Sequence, residues 1–164
     1  MFDFDVLGIS ALDDDRAPES CALGTMSLNV PITDVPRSPA LTLPPEATVA
    51  MALEAMRRRG RNAAVVVQRQ RAVGVVTERD VVAHAGGFKD AREAALVTVM
   101  STCPSPLRAS DTVGSALRRM CALRQWHLPL VCDQGLLVGA IDVTDICLWL
   151  RDRMTLISVD AALG

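Results

Sequence analysis

Aromatic residues are scarce in this chain: no tyrosine, three phenylalanines and two tryptophans in 164 residues. An aromatic-rich core is excluded, and valine, leucine, alanine and methionine must fill the interior, as in helix-on-sheet packing. The two histidines, His84 and His127, complete no zinc-ligand spacing with the five cysteines. Those cysteines (Cys21, Cys103, Cys121, Cys132, Cys147) contain no C-x-x-C and read as free, mostly buried thiols of a reducing compartment. No apolar run approaches the roughly 20 residues of a membrane span. The N-terminus has no basic stretch, and Asp3 and Asp5 interrupt its apolar residues, so it is not read as a signal peptide. The expected location is the cytoplasm. Neither charge sign is in excess: 17 Lys and Arg stand against 19 Asp and Glu, for a net charge of −2. Nothing here, and no basic arm at either end, points to a nucleic-acid surface. A Ser-His-Asp order, a metal cluster and an activated cysteine are also missing, which argues against an enzyme.

What the chain does have is a repeat. TVAMALEAM at Thr48–Met56 recurs as TVGSALRRM at Thr112–Met120, 64 residues on. Each copy is followed by an apolar run and then a glycine motif, GVVTERD at Gly74–Asp80 and GAIDVTD at Gly139–Asp145. The offset of the second pair is 65, so one residue has been added between the run and the glycine, where a strand-to-strand turn absorbs an insertion.

In the first copy, Val30 to Pro45 is proline-rich and reads as an extended lead-in with a short edge strand. Thr48 is an N-cap for a helix whose Val49, Ala52, Leu53 and Met56 share one stripe. Arg57, Arg58 and Arg59 suit its last turn, and Gly60 stops it. Ala63–Val67 reads as a buried strand, Gln68–Arg71 as a turn and Ala72–Val76 as the returning strand. Thr77 opens a second helix that ends at Gly86 and Gly87. A linker with a charged helical stretch, Lys89–Glu93, leads to LVTVMS at Leu96–Ser101. The second copy repeats the plan. It has an extended lead-in at Cys103–Leu107 and a helix capped by Asp111 or Thr112. Strands follow at Leu128–Cys132 and Leu136–Ile141, then a helix from Asp142 to about Met154. Thr155–Val159 forms a last strand or packs on the other half.

The predicted fold is α/β (α+β), two tandem β-α-β-β-α units related by a pseudo-twofold. One such unit cannot bury its apolar surface alone. The predicted segments are an extension at 1–30, disordered or loosely docked and holding the acidic run Asp13–Asp15, a first repeat at 31–88, a linker and second repeat at 89–154, and a tail at 155–164.

The glycine motif carries the candidate chemistry. Thr77 falls at a helix N-terminus, where free N–H groups and its hydroxyl hold an anion such as phosphate. Asp80, one turn on and on the same face, offers a carboxylate to ribose hydroxyls. Taken singly, the pattern is also a plain helix cap with a solvated aspartate.

In combination, TLPPEATVAMALEAM, GVVTERDVV, VTVMS, WHLPLV and GAIDVTDI resemble the CBS-domain family over roughly residues 32–153, as a stand-alone tandem pair or Bateman module. The resemblance implies clefts between the copies that bind adenine-containing ligands. It implies a first site built from Thr77, Asp80 and the backbone at Ala63 and Ala64. His127 is then a phosphate partner or a satisfied rim histidine, and Arg79 a reserve cation or a solvated one. In the second site Asp142 replaces the hydroxyl and would repel phosphate, and Ala63 stands where His127 stands in the other copy, leaving Asp145 alone. Asymmetric sites are therefore expected, with the Asp80 site competent. The implied function is a non-enzymatic sensor of AMP, ADP or ATP that requires no cofactor, self-associates as a homodimer and signals to a protein partner. The alternatives are an S-adenosylmethionine binder and a dimerisation module without a ligand. Trp126 and the methionines Met51, Met56, Met100 and Met120 read as packing.

Overall fold

The computed structural model describes residues 22, 23, 26–37, 39–85, 91–102 and 105–163. The acidic run Asp13–Asp15, the Gly86–Gly87 stop, Cys21 and Cys103 lie outside them. A small antiparallel ribbon, β1 (Ala22–Leu23) and β2 (Met26–Ser27), precedes a single 3-10 turn at Ile32–Asp34. The first repeat follows as β3 (Thr42–Leu43), α1 (Val49–Arg59), β4 (Ala63–Gln68), β5 (Arg71–Thr77) and α2 (Glu78–Ala85). The connecting segment holds α3 (Leu96–Val99) and β6 (Ser101–Thr102). The second repeat is β7 (Leu107–Arg108), α4 (Val113–Leu123), β8 (His127–Val131), β9 (Leu137–Asp142) and α5 (Val143–Leu163). Two sheets result, β3-β4-β5-β6 and β7-β8-β9, each opening with a parallel pair and continuing antiparallel.

Local chemistry sets the elements. Thr48 Oγ1 accepts from Met51 N at 3.3 Å and starts α1; Gly60, at φ 58°, closes it. Thr112, not Asp111, caps α4, in a box with Ser115. Asp111 instead pairs with Arg119 at 2.6 Å and accepts from Arg108 N at 2.7 Å. Arg69 and Gln70 both have positive φ and make the tight turn between β4 and β5. Four residues separate the paired Val67 and Ala72 and five separate the equivalent pair Val131 and Leu137, which accounts for the change of offset from 64 to 65.

The two cores are reciprocal. Val49, Ala52, Met56, Val66 and Val76 of the first repeat pack with Leu96 and Val99 of the connecting segment. Val113, Ala116, Met120, Leu130 and Ile141 of the second pack with Ile32 and Val35 from ahead of the first. Backbone bonds repeat the exchange. Leu96 N donates to Ala47 O and Val49 N to Ala94 O; Ile32 N donates to Asp111 O and Val113 N to Val30 O. Each lead segment thus completes the other repeat. Ile32 and Leu96 are fully buried, each worth about 1.5–3 kcal/mol of transfer free energy. The end of the expected extension, Leu28 and Val30, packs on the second core rather than hanging loose.

Several expectations are corrected. Thr155–Val159 is neither strand nor separate packing segment but part of α5, which meets no glycine or proline before Leu163; extending a formed helix is far cheaper than starting a new element. The described part of Lys89–Glu93, residues 91–93, is a turn, because its backbone serves α1: Ala50 N donates to Arg92 O. Cys121 and Cys147 are exposed and Cys132 is half-buried, so the described thiols are free but not buried. Met120 and Ile146 take the inward positions beside Cys121 and Cys147. Met51 is exposed on α1, unlike Met56 and Met120. Among the described residues, no helix is long and apolar enough to cross a membrane, and no cluster of metal-binding side chains occurs.

Candidate functional site

Where β5 and β8 meet between the repeats, two hollows open, one at each glycine motif. The larger, about 300 Å³, is lined by Thr77, Glu78, Arg79, Asp80 and Ser101 on one side and by Arg124, Gln125, Trp126 and His127 on the other. It reaches the size at which small-molecule pockets begin, about 300 Å³. The smaller, about 40 Å³, holds Asp142 and Asp145 against Ala63 and Ala64. It has room for a few water molecules.

At the larger hollow, Thr77 and Asp80 form a reciprocal cap on α2. Asp80 Oδ2 accepts from Thr77 N at 2.8 Å and from Thr77 Oγ1 at 2.7 Å, and Asp80 N donates to Thr77 Oγ1 at 3.2 Å. Ser101 Oγ, on β6, donates to Asp80 Oδ1 at 2.9 Å. A carboxylate offers roughly four acceptor positions, so Asp80 keeps capacity for a further donor. Arg79 and Arg124 balance Glu78 and Asp80 in charge. Arg124 ends α4 at φ 51°, the place Gly60 holds in the first repeat. A non-glycine residue there costs of order 1 kcal/mol.

His127 lines both hollows. It sits opposite Asp142 in the β8–β9 register. Its Nε2 lies 2.5 Å from Asp142 Oδ2 and 2.9 Å from Asn62 Oδ1. Both neighbours are acceptors, so Nε2 carries the hydrogen. The expected phosphate partner is therefore engaged elsewhere, and Arg124, three residues earlier, is the cation that faces the hollow with Arg79. Burial raises the Asp142 carboxyl, but hydrogen bonds from His127 and from Thr144 outweigh it and hold the group well below the usual carboxylate range. Asp142 also caps α5, accepting from Thr144 N at 2.7 Å and Thr144 Oγ1 at 2.6 Å, while Asp142 N donates to Asp145 Oδ2 at 3.0 Å.

The structure thus brings Thr77, Asp80, Arg79 and His127 to one hollow, while Ala63, opposite Thr77 in the β4–β5 register, and Ala64 fall outside its lining. Those two line the smaller hollow beside Asp145, because the β4 end that carries them pairs with β5 and faces β9 across the interface. The residues missed were Ser101, Arg124, Gln125 and Trp126. Trp126 is not core packing: it is 41% exposed. The exchange of lead segments is what brings Ser101 to Asp80, and no local pattern signals it.

Residues 32–87 match the family model "CBS domain". Over that segment the chain is similar to a CBS domain. Solved structures share its fold across both repeats. A CBS domain protein from Pyrobaculum aerophilum, solved in complex with AMP, is 24% identical, with 72% of this chain and 91% of that one covered at a TM-score of 0.66. A CBS-domain containing protein from Agrobacterium tumefaciens is 24% identical over 68% of this chain and 87% of its own, at 0.59. The CBS domain pair of protein MJ0100, solved with 5′-methylthioadenosine and S-adenosylmethionine, is 16% identical over 76% and 98%, at 0.67. At these identities the likeness carries the CBS-pair fold.

Proposed function

We propose that this CBS pair is a regulatory sensor that binds one adenine nucleotide in the hollow around Asp80, not an enzyme. The observation that carries the reading is the juxtaposition of a capped helix N-terminus, a carboxylate with spare acceptor capacity and two arginines around about 300 Å³. Phosphate goes to Arg79 and Arg124 beside the capped α2 N-terminus, and ribose hydroxyls go to Asp80. The AMP complex of the Pyrobaculum relative and the adenosyl ligands of the MJ0100 pair support the same ligand class. The Asp145 hollow stays structural. Its volume of about 40 Å³ and its two carboxylates both oppose a nucleotide.

Signalling follows from differential affinity. A ligand bridging α2 with the α4–β8 turn favours whichever arrangement of the repeats closes that gap. The free thiols at Cys121, Cys132 and Cys147 fit a reducing cytoplasm. Exposed Met51, Val82, Leu123 and Leu148 on the helices fit self-association as a homodimer or contact with a protein partner.

Calorimetry with AMP, ATP and S-adenosylmethionine tests the assignment. Asp80→Ala removes charge-assisted bonds of about 1.5–3 kcal/mol each, so affinity for the bound nucleotide falls roughly 100-fold. Asp145→Ala leaves it within about twofold. Equal losses refute the asymmetry. If no adenine ligand raises the melting temperature, the chain is a dimerisation module.

A further inference from the structure

The Asp80 hollow has α2 and β6 on one side and the turn from α4 into β8 on the other. Two side-chain hydrogen bonds cross between these walls: Gln125 Nε2 to Thr102 O at 3.2 Å, and His127 Nε2 to Asn62 Oδ1 at 2.9 Å. The second continues in both directions. Asn62 O accepts from Glu78 N, at the start of α2, at 3.3 Å. His127 Nε2 is shared with Asp142 Oδ2 at 2.5 Å, and Asp142 Oδ1 accepts from Thr144 N, at the start of α5, at 2.7 Å. One hydrogen-bonded line thus runs from the N-terminus of α2 to that of α5. It has no mirror copy. Trp126, 64 residues after Asn62, also accepts through its carbonyl, from Val143 N at 2.9 Å, but its ring has no amide oxygen to offer, and Ala63 stands where His127 stands. The side chains of His127 and Asp142 are only 17% and 13% exposed, so water competes little for their bond.

We infer that Asp142, a residue of the smaller hollow, is a positioning residue for nucleotide binding at Asp80, acting through His127 and Asn62. The inference rests on nucleotide binding at Asp80 and adds the groups that set the spacing of its two walls. Asp142 is not part of the lining of the larger hollow. It holds the His127 ring; the ring holds Asn62; and Asn62 carries the first turn of α2, with Arg79 and Asp80, against the wall that bears Arg124. A gap already at its working width spares the ligand the cost of ordering it. Charge alone argues for the opposite sign. A carboxylate near a phosphate site repels the ligand, so on electrostatic grounds removing Asp142 would tighten binding. The two accounts are separated by the direction of the effect.

The test is AMP calorimetry on the full chain and three variants. Asp142→Ser keeps a hydroxyl to cap α5 but is too short to reach His127. It is expected to weaken AMP about threefold, as is Asn62→Ala, because Asn62 is exposed and its bond is worth little more than that. The double variant is expected to bind no more weakly than either single one, since both changes break the same line. AMP bound equally or more tightly by a folded Asp142→Ser overturns the inference. So do losses that multiply in the double variant, for Asp142 then acts independently of Asn62. By reciprocity AMP must in turn alter the contacts of Asp142. The backbone amide resonance of Thr144, which lines neither hollow, is therefore expected to shift as AMP is added to the unaltered chain. An unmoved Thr144 amide overturns the inference without any variant, while leaving nucleotide binding intact. If AMP does not bind the unaltered chain, the inference falls together with the nucleotide reading on which it rests.

Discussion

The Asp80 and Asp145 hollows stand on the same scaffold, a strand running into a capped helix with a carboxylate one turn in, yet they differ sevenfold in volume, about 300 against 40 Å³. The difference has two sources. In the first repeat the capping residue is Thr77, whose hydroxyl serves the helix and leaves Asp80 open to further donors. In the second it is Asp142, which is drawn into a pair with His127 and closes the interface at that point. The second source is what crosses the glycine. Over Gly74 runs β6, a fourth strand that delivers Ser101 to Asp80. Over Gly139, among the described residues, lies the stem of Arg37, which occupies Ser101's place 64 residues earlier. Both copies keep the helix cap, and the wider hollow stands at only one of the two.

The two glycines break the comparison most sharply. A Cβ on Gly74 would stand 2.5 Å from Met100 Sδ and 2.8 Å from Ser101 O; the sulfur can move, the backbone oxygen only with β6. Gly74→Ala should therefore cost about 1–3 kcal/mol and, by pushing Ser101 off Asp80, weaken nucleotide binding as well. A Cβ on Gly139 would meet Arg37 Nε at 3.3 Å, the flexible part of an exposed side chain. Gly139→Ala should cost under about 1 kcal/mol and leave binding alone. Urea midpoints of the two variants check this, and equal losses would mean that β6 is not what distinguishes the hollows.

A smaller effect sharpens the role of Asp142. Its carboxyl titrates lower in the folded chain than in the unfolded one. The pair with His127 therefore stabilises the fold above the unfolded carboxylate range, near pH 4, and loses that contribution as pH falls toward the folded value. Asp142→Asn should flatten the acid limb of stability against pH below about pH 4, by about 1 kcal/mol. Superimposable acid limbs for variant and parent would show that the pair does nothing for the fold.

Much of the scaffold was legible in the sequence because it is local. The Thr48 cap, the Gly60 stop, the strand from Ala63 and the stripe Val113, Ala116, Met120 depend on neighbours within a few residues. The 64-residue offset made the second copy readable from the first. Thr77 and Asp80 were found for the same reason. The exchange of Ile32–Val35 with Leu96–Val99 was not legible: both segments are short apolar stretches whose partners are chosen by a distant core. With it went Ser101, which reaches Asp80 only through that exchange. Gln125 and Trp126 were obscured because a tryptophan beside a buried strand reads as core until the opposite wall of the hollow is known. His127 lines the hollow, and its pairing with Asp142 depends on the β8–β9 register, which no local pattern shows.

The most direct test of the central claim is the stoichiometry of AMP binding to the unaltered chain by calorimetry, repeated on Asp80→Ala and Asp145→Ala. One nucleotide per chain, lost with Asp80 and kept without Asp145, is the expected result. Two equivalent sites per chain, or one that disappears with Asp145 and survives without Asp80, would contradict it.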